Sequence, residues 1–317
     1  MSFCILGTGS AAPQFTLTND QMAEIVETSD EWIRQRTGIG SRRICKDENL
    51  LDLSVRAAEE ALASAGVRPE ELDLIICTTL RGELITPNHA CLVQEKIGAH
   101  CPAFDINVAC TGLIYALDIA DCYFARGKTK KILIVAAEEM SSIVDWTDRS
   151  TCVLFGDGTG AVVLGEGDGL RAVTVHAEGN REVLSIPRGE GKLFDGTVVG
   201  EPCCVKMDGG EVYKFAVSAM VDGVQKVCAE AGIDPSELDF VVPHQANLRI
   251  IKAAMSRLHL PMEKAFVNIE SYGNTSSASL YIALDELVRS GKLERGMNVA
   301  LTAFGGGLTS GAALFRW

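Results

Sequence analysis

Three short sequence patterns recur in the same order in the two halves of this chain, and this repetition limits the possible folds. The first pairs residues 65–76 with 231–242, each a helix end, a proline turn and a buried strand. The second pairs residues 115–118 with 281–285, and the third pairs 155–164 with 304–314. Generic strand–turn–helix similarity explains one match but not three in order, so we infer that the chain consists of two related halves.

Each half alternates helical and strand patterns, which predicts parallel sheets covered by helices. With 317 residues, the length is also typical of about two domains. We therefore expect an N-terminal half at residues 1–170 and a C-terminal half at 171–317, packed face to face as a five-layer α/β/α/β/α sandwich. Functional groups in such a fold lie where strands end and helices begin.

Cys110 lies at such a corner. The residues before it, from Phe104, predict a short strand, and those after it predict a helix that ends near Arg126, with Gly127 as a left-handed stop. Apolar side chains cover nearly all faces of this helix, which is typical of a buried helix. A helix N-terminus favours a thiolate by about 0.3–2 kcal/mol, so we expect a nucleophile that also has a hydrogen-bonding or basic partner. The alternative is a small core cysteine.

Two further corners fit the same rule. His244 directly follows the predicted strand 239–243, and Asn274 lies between a predicted strand at 266–269 and a helix that starts near Ser276. Cys110 and Asn274 occupy corresponding corners of the two halves, so pseudo-two-fold packing can bring both to one site. For an isolated histidine a satisfied core position is the usual interpretation, but this placement favours a functional one.

Composition excludes several classes of protein. A net charge of −13 argues against nucleic acid as a partner, and the longest apolar runs, such as 132–137, are too short to cross a membrane. Eleven cysteines include no C-x-x-C pair, which indicates reduced thiols rather than disulfides or a metal site. The N-terminal residues carry no basic region or signal-peptide core, so we expect a cytoplasmic protein.

Several longer motifs point to one family. They lie at residues 28–39, 101–105, 148–149, 155–158, 242–251, 272–279 and 304–307. Together they resemble the thiolase-fold condensing enzymes, in particular the β-ketoacyl-acyl carrier protein synthase III branch, over essentially the whole chain. The resemblance implies a thiolase-like sandwich that initiates type II fatty acid synthesis.

The resemblance also implies roles for the three corner residues. Cys110 would take the acyl group from acyl-CoA, and malonyl-acyl carrier protein would then lose CO2 to give an enolate that attacks the acyl-cysteine. His244 and Asn274 would donate hydrogen bonds to the enolate oxygen, each worth about 2.7–4 kcal/mol. The backbone N–H groups of Cys110 and Gly306 would form the oxyanion hole. No metal and no cofactor other than the CoA thioester substrates is implied.

Substrate contacts follow from the same resemblance. CoA would lie along Thr28, Trp32, Arg36, Arg149, Gly209 and Asn247, although a surface aromatic is the simpler reading of Trp32 from spacing alone. The acyl pocket would include Thr86 and Phe304, and Thr86 replaces a phenylalanine of some relatives, which predicts room for primers beyond acetyl. An acidic carrier protein would dock on Lys214, Arg249, Lys252 and Arg257. The resemblance further implies a homodimer.

Other activities remain open at this point. Degradative thiolases carry a second cysteine in the glycine-rich loop 304–311, and its absence here favours decarboxylation as the source of the carbanion. A hydroxymethylglutaryl-CoA synthase-like enzyme would need a glutamate base, for which Glu83 is the candidate. A ketosynthase of a secondary pathway or a non-catalytic acyl-binding scaffold of the same fold are further alternatives.

Overall fold

The computed structural model describes residues 2–317. The N-terminal half contains, in order, β1 (Ser2–Ala11), β2 (Thr16–Thr18), α1 (Asn19–Ala23), α2 (Asp30–Thr37), β3 (Ser41–Arg43), α3 (Leu50–Ala65), β4 (Leu74–Thr78), α4 (His89–Ile97), β5 (Ala103–Ile106), α5 (Gly112–Ala125), β6 (Lys131–Glu138), α6 (Arg149–Cys152) and β7 (Gly158–Gly167). The C-terminal half contains β8 (Leu170–Ala177), β9 (Leu184–Ser185), β10 (Gly191–Lys192), β11 (Val198–Val199), β12 (Lys206–Met207), α7 (Gly209–Ala231), β13 (Phe240–Pro243), α8 (Leu248–Arg257), α9 (Ile269–Tyr272), α10 (Ala278–Arg289), β14 (Asn298–Gly305) and β15 (Thr309–Arg316). No helix in this described range is long and apolar enough to cross a membrane.

Two main sheets form the core of the fold. The first has the strand order β1-β7-β6-β4-β5, and the second has the order β13-β14-β15-β8. The first sheet thus uses strands before residue 168 and the second uses strands after residue 169. We retain a boundary near residue 170 as our proposal for where the two halves meet.

Helices cover both sheets and fill the space between them. α3 and α4 pack on the outer face of the first sheet, and α7 and α8 cover the outer face of the second. α5 and α10 lie between the sheets and contact strands of both. Alternate side chains of β6 serve two layers, because Ile134 faces α5 while Val135 faces α3. The predicted five-layer sandwich is confirmed.

The prediction of parallel sheets holds for some strand pairs but not for all of them. β4 pairs in parallel with β5 and β6, and β13 with β14, but β7 and β15 run antiparallel to their neighbours. The reason is clear for β15, because only three residues separate it from β14 and so short a connection can only reverse the chain. Both sheets are therefore mixed.

The predicted strand at 266–269 is also absent. Only Ala265 forms a bridge, to Val241, before the chain turns into α9. The side chain of Gln245 explains this early end, because its Oε1 accepts the N–H groups of Asn268 and Ile269 at 3.1 and 3.2 Å. These N–H groups are then unavailable to continue a sheet.

The helix after Cys110 is confirmed between Gly112 and Ala125, and Gly127 adopts the predicted left-handed conformation at φ +67°. Its burial is less complete than expected. Leu113, Leu117 and Phe124 are buried, whereas Cys122 is exposed on the opposite side. The helix therefore separates the two sheets but keeps one stripe accessible in the single chain.

Candidate active site

Cys110 lies in a 3₁₀ turn at residues Ala109–Thr111, between β5 and α5. Ala109 adopts φ +47°, a left-handed conformation that is uncommon for alanine and is often found beside functional residues. The Cys110 Sγ–H donates a hydrogen bond to the Ser276 Oγ at 3.6 Å. Burial raises the pKa of the thiol to about 12, and the Ser276 contact only partly offsets it. Ser276 is therefore the hydrogen-bonding partner that the sequence led us to expect, and the thiol must lose its proton as it reacts.

The glycine-rich turn between β14 and β15 lies against Cys110. A Cβ atom on Gly305 would lie 2.9 Å from the Cys110 backbone nitrogen, so this position requires glycine for close approach. The next residue, Gly306, would tolerate a Cβ at ordinary distances. Its N–H has no hydrogen-bond partner among residues 2–317, so it can donate to a bound oxyanion.

His244 follows β13, and its backbone N–H donates to the Thr302 carbonyl of β14 at 2.8 Å. The side chain is 1% exposed, and its ring edge meets the ring of Phe304 at 5.4 Å between centroids. Burial lowers the pKa of His244 to about 3, so the imidazole is neutral at physiological pH. Neither ring nitrogen has a hydrogen-bond partner within the described chain. Leaving buried polar atoms unpaired costs about 1–3 kcal/mol, which is typical of a site preorganised for a ligand.

Asn274 is fixed by its backbone between two neighbouring segments. Its N–H donates to the Leu154 carbonyl at 2.9 Å, and its carbonyl accepts the Gly156 N–H at 3.0 Å. The side-chain Oδ1 accepts the backbone N–H of Ser276 at 2.9 Å. This contact occupies the carbonyl end of the amide, so the NH2 group remains as the end that can donate to a ligand.

One cavity of about 1150 Å³ brings the predicted centre together. Its walls include all three corner residues and residues from both ends of the expected substrate path. The predicted site residues that line it are Trp32, Arg36, Cys110, Gly209, His244, Asn247, Arg249, Asn274, Phe304 and Gly306. This volume exceeds the 300–1,000 Å³ of ordinary small-molecule pockets. A long ligand that reaches from the surface to Cys110 would fit.

The outer end of this cavity is aromatic and basic. Ser29 caps α2 by accepting the Trp32 N–H, and the guanidinium groups of Arg36 and Arg149 lie 5.1 and 5.0 Å from the centroid of the Trp32 ring. Arg149 does not line the cavity itself, but its guanidinium group donates a hydrogen bond to the Glu27 carbonyl at 2.8 Å, which holds it beside Trp32. This end therefore combines a flat apolar surface with two cations, which suits a nucleotide with phosphate groups.

Two other predicted CoA contacts, Asn247 and Thr28, differ in their surroundings, because only Asn247 has a side-chain hydrogen-bond partner in the described chain. Asn247 caps α8 through the Arg249 N–H at 2.8 Å, and its Nδ2 donates to the Arg36 carbonyl at 3.1 Å. The Thr28 Oγ1 is buried without a partner among residues 2–317 and does not line the cavity. Asn247 thus connects α8 with α2 at the cavity entrance.

The structure does not bring every predicted residue to the cavity. Thr86 is exposed and lies outside the cavity of its own chain, so the expectation that it lines the pocket is not met within one chain. Its neighbour Ile85 does line the cavity and is 92% exposed. Of the predicted docking residues, Arg249 lies at the cavity, while Lys214, Lys252 and Arg257 are exposed away from it.

Glu83 is committed to another role in this structure. Although it lines the cavity, its carboxylate accepts the backbone N–H of Leu51, at the N-terminus of α3, at 3.0 Å. An acidic group in that position stabilises the positive end of a helix. The geometry gives no support to Glu83 as a general base.

Sequence reasoning missed Glu138 and Ser276. Glu138 directly follows the apolar residues 132–137 at the end of β6, where the rule that functional groups lie at strand ends would have found it. It is 1% exposed and lies behind the Cys110 corner, where its charge raises the pKa of the thiol. The sequence pattern at Ser276 indicates only the start of a helix.

Comparisons with known proteins agree on one family. The family model for 3-oxoacyl-[acyl-carrier-protein] synthase III matches residues 104–179, and the model for its C-terminal part matches residues 228–317. β-Ketoacyl-[acyl-carrier-protein] synthase III of Xanthomonas campestris is 48% identical over 99% of this chain and 98% of the relative.

Solved structures give the same result. The crystal structure of 3-oxoacyl-[acyl-carrier-protein] synthase III from Aquifex aeolicus is 47% identical, covers all of both chains and superposes with a TM-score of 0.92. The priming β-ketosynthase from the R1128 polyketide biosynthetic pathway is 35% identical, with a TM-score of 0.89 over 99% of this chain and 96% of that one.

Proposed function

Because the chain belongs to the β-ketoacyl-acyl carrier protein synthase III family, we propose that it condenses an acyl-CoA primer with malonyl-acyl carrier protein at the cavity around Cys110. The protein is a condensing acyltransferase of fatty acid biosynthesis. Its reaction is a decarboxylative Claisen condensation that releases CoA and CO2. The observation that carries the proposed site is the meeting of Cys110, His244 and Asn274 in one cavity.

In the first half-reaction Cys110 attacks the thioester carbonyl of the primer. The oxygen becomes negatively charged in the tetrahedral intermediate and accepts hydrogen bonds from the backbone N–H groups of Cys110 and Gly306. Support for this comes from the close approach of Gly305 to Cys110 and from the unpartnered Gly306 N–H. The helix N-terminus adds partial positive charge at the same point.

In the second half-reaction decarboxylation of the malonyl group yields an enolate. A neutral imidazole and an amide NH2 group donate hydrogen bonds to the enolate oxygen, and these roles suit His244 and Asn274. The low pKa of His244 keeps its imidazole neutral, and both nitrogens are free of other partners within the described chain. The enolate then attacks the acyl-cysteine. Decarboxylation itself produces the carbanion, so the steps need no resident cofactor.

CoA lies along the aromatic and basic end of the cavity. The adenine contacts Trp32, and the phosphate groups are neutralised by Arg36 and Arg149, which already flank that ring. Gly209 and Asn247 line the path of the pantetheine, whereas Thr28, the third predicted contact, lies outside the cavity wall. The volume of the cavity supports this assignment, because it accommodates an extended ligand that reaches Cys110.

Carrier protein docks on the exposed basic side chains Lys214, Arg249, Lys252 and Arg257. Arg249 is the one among them that reaches the cavity. We expect Arg249→Glu to raise the apparent KM for malonyl-acyl carrier protein about 3- to 10-fold, because exposed ion pairs contribute roughly 0.2–1 kcal/mol and charge reversal adds repulsion. Steady-state kinetics with varied carrier substrate would measure it.

The matched control for this variant is Lys292→Glu, which reverses an exposed charge away from the cavity. We expect wild-type kinetics from it. The acyl-CoA half-reaction of Arg249→Glu should also remain at the wild-type rate. Equal losses in both half-reactions would refute a docking role for Arg249.

We place the homodimer contact at β5. This strand is the outermost of the first sheet, and its residues are half-buried although the neighbouring β4 is completely buried. A free edge with half-buried side chains suits pairing with a second copy. The loop with Thr86 and the exposed Ile85 would then lie near the cavity of the partner, which accounts for the position of Thr86 outside its own.

The Thr86 position tests this arrangement through primer choice. Thr86→Phe should retain acetyl-CoA as a primer but lower activity with longer or branched primers by about 5- to 150-fold, because overfilling a packed site costs about 1–3 kcal/mol. Initial rates with a panel of acyl-CoA primers measure the effect, and Thr86→Ser should preserve the wild-type preference. If Thr86→Phe keeps the wild-type primer preference, the assignment of Thr86 to the acyl pocket is wrong.

The proposed function itself is tested with purified protein, acyl-CoA and malonyl-acyl carrier protein. We expect β-ketoacyl-acyl carrier protein, detected by the mass of the carrier, and CO2 in equal amounts. The second candidate function is a ketosynthase of a secondary pathway, because the chain is also similar to a polyketide priming ketosynthase. Condensation only with the carrier protein of a secondary pathway would favour that role, and failure with every carrier would refute the proposal.

A further inference from the structure

Arg42 is a buried cation that the steps above do not use. It lies in β3, and its side chain is fully buried. Burial lowers the pKa of Arg42 to about 10, so the guanidinium group stays charged at neutral pH. All of its hydrogen-bond acceptors within residues 2–317 are neutral oxygens, and none is a carboxylate. A cation buried without a carboxylate is costly to retain, which makes it a candidate for a functional role.

The guanidinium group of Arg42 joins two distant parts of the chain. Its Nη1 donates to the Leu17 carbonyl at 3.2 Å and to the Asn19 Oδ1 at 2.9 Å, and its Nη2 donates to the Val153 carbonyl at 2.8 Å. Leu17 lies in β2 and Asn19 begins α1. Arg42 therefore holds the segment 153–156 against these N-terminal elements.

The segment 153–156 in turn holds the backbone of Asn274. The Leu154 carbonyl accepts the Asn274 N–H at 2.9 Å, and the Gly156 N–H donates to the Asn274 carbonyl at 3.0 Å. These two bonds belong to the isolated parallel bridge between Phe155 and Asn274. Because both backbone groups of Asn274 are bound to this segment, a shift of the segment also shifts the Asn274 side chain.

The packing around Arg42 brings its side chain close to both sides of this bridge. A Cβ atom on Gly156 would lie 2.9 Å from the Arg42 Cβ, and one on Gly273 would lie 3.4 Å from it. Gly273 directly precedes Asn274 and adopts φ +66°, which glycine accepts without strain. The hydrogen bonds and the volume of Arg42 thus act at the same point of the structure.

We propose that Arg42 is a positioning residue that fixes the Asn274 amide for the condensation step. This inference rests on the proposed function, in which Asn274 donates a hydrogen bond to the enolate oxygen. The oxyanion donors of the acylation step are the N–H groups of Cys110 and Gly306, and Arg42 donates to neither of their segments within the described chain. Loss of Arg42 should therefore affect condensation and spare acylation.

The test compares the two half-reactions in Arg42→Met, which removes all three hydrogen bonds but retains a long side chain. Acylation of Cys110 at saturating acetyl-CoA should stay within about 2-fold of the wild-type rate, whereas condensation should fall about 10- to 100-fold, because misplacing a group by about 1 Å costs up to about 100-fold. Condensation is measured as a single turnover of acylated protein with saturating malonyl-acyl carrier protein.

Arg42→Lys is the conservative variant and also serves if Arg42→Met fails to fold. It retains the charge, but one ammonium group cannot reach both sides as the guanidinium group does. We therefore expect part of the condensation rate to return, with a remaining loss of about 3- to 10-fold, as for one lost hydrogen bond. Acylation should again remain at the wild-type rate.

A double substitution shows whether Arg42 acts through Asn274. Either Arg42 variant, added to Asn274→Ala, should lower condensation less than about 2-fold further, because no amide remains to be positioned. A loss as large as in the wild-type background would indicate general support of the fold and would overturn the inference. Arg43→Met is the matched control. Its guanidinium group faces the Pro13 and Gln14 carbonyls, so both rates should stay at the wild-type level.

The outcomes are distinguishable. Wild-type condensation in both Arg42 variants would overturn this inference while leaving the proposed function intact. Equal losses of acylation and condensation would also overturn it, since positioning of Asn274 concerns the second step alone. A wild-type protein that does not condense its acyl group with malonyl-acyl carrier protein would overturn the proposed function and this inference together.

Discussion

Replacing Cys110 with alanine should eliminate the covalent acyl adduct and reduce condensation by about 10³-fold or more. The physical reason is that no other nucleophile in the cavity can take its place at the N-terminus of α5, where oxyanion donors surround the thioester carbonyl. Losses of this size are typical when a covalent nucleophile is removed. Intact-protein mass spectrometry after incubation with acetyl-CoA measures the adduct directly.

The same helix provides a matched control. Cys122 is exposed on α5, so Cys122→Ala removes a more accessible thiol without changing the cavity. We expect this variant to form the adduct at the wild-type level. An adduct that persists on Cys110→Ala and is lost from Cys122→Ala would contradict the assignment of the nucleophile.

Removing either enolate donor should slow condensation without slowing acylation of Cys110. His244→Ala and Asn274→Ala should each lower the condensation rate by about 10²–10³-fold, because one such donor contributes about 2.7–4 kcal/mol to the transition state. Acylation of Cys110 should continue, since the oxyanion hole for that step consists of backbone N–H groups. Rapid-quench measurements of each half-reaction check the prediction.

The pH dependence of condensation adds a second criterion. The pKa of His244 is lowered to about 3, so the neutral imidazole persists above that value and is lost only as the pH falls through it. His244 should therefore cause no loss of condensation between pH 5 and 8. His100→Ala, which removes an exposed histidine, serves as the control. Equal loss of acylation and condensation in His244→Ala would contradict a role limited to the enolate.

The sequence was sufficient for the architecture and for the corners that carry the proposed centre. Repetition between the halves predicted the five layers, and the rule that functional groups follow strands predicted where Cys110 and His244 lie. Asn274 lies at the expected corner, but it follows the short helix α9 and not a strand. Family resemblance then supplied their roles. These features depend on local pattern and chain order, which a single sequence contains.

What the sequence could not provide depends on contacts between distant segments. The predicted strand at 266–269 failed because the side chain of Gln245 takes its N–H groups. The raised pKa of the Cys110 thiol could not be predicted, because it depends on burial by segments that are distant in the chain. The outward position of Thr86 depends on how its loop lies on the surface, which neither composition nor periodicity predicts.

Glu138 could be recognised from the sequence only in part. Its position at the end of a buried strand is visible in the sequence, but its burial and the effect of its charge on Cys110 appear only in three dimensions. A lone glutamate at a strand end carries little weight without that environment. Ser276, which accepts the hydrogen bond of the Cys110 thiol, likewise lies 166 residues from Cys110 in the chain.

The most direct test of the account is a rapid-quench time course of the peptide that contains Cys110. Wild-type protein is first acylated with acetyl-CoA and then mixed with malonyl-acyl carrier protein. We predict that acetyl-Cys110 forms and then disappears at the rate at which β-ketoacyl-acyl carrier protein appears. An acyl group on another residue, or an acetyl-Cys110 that persists while product accumulates, would contradict Cys110 as the site of condensation.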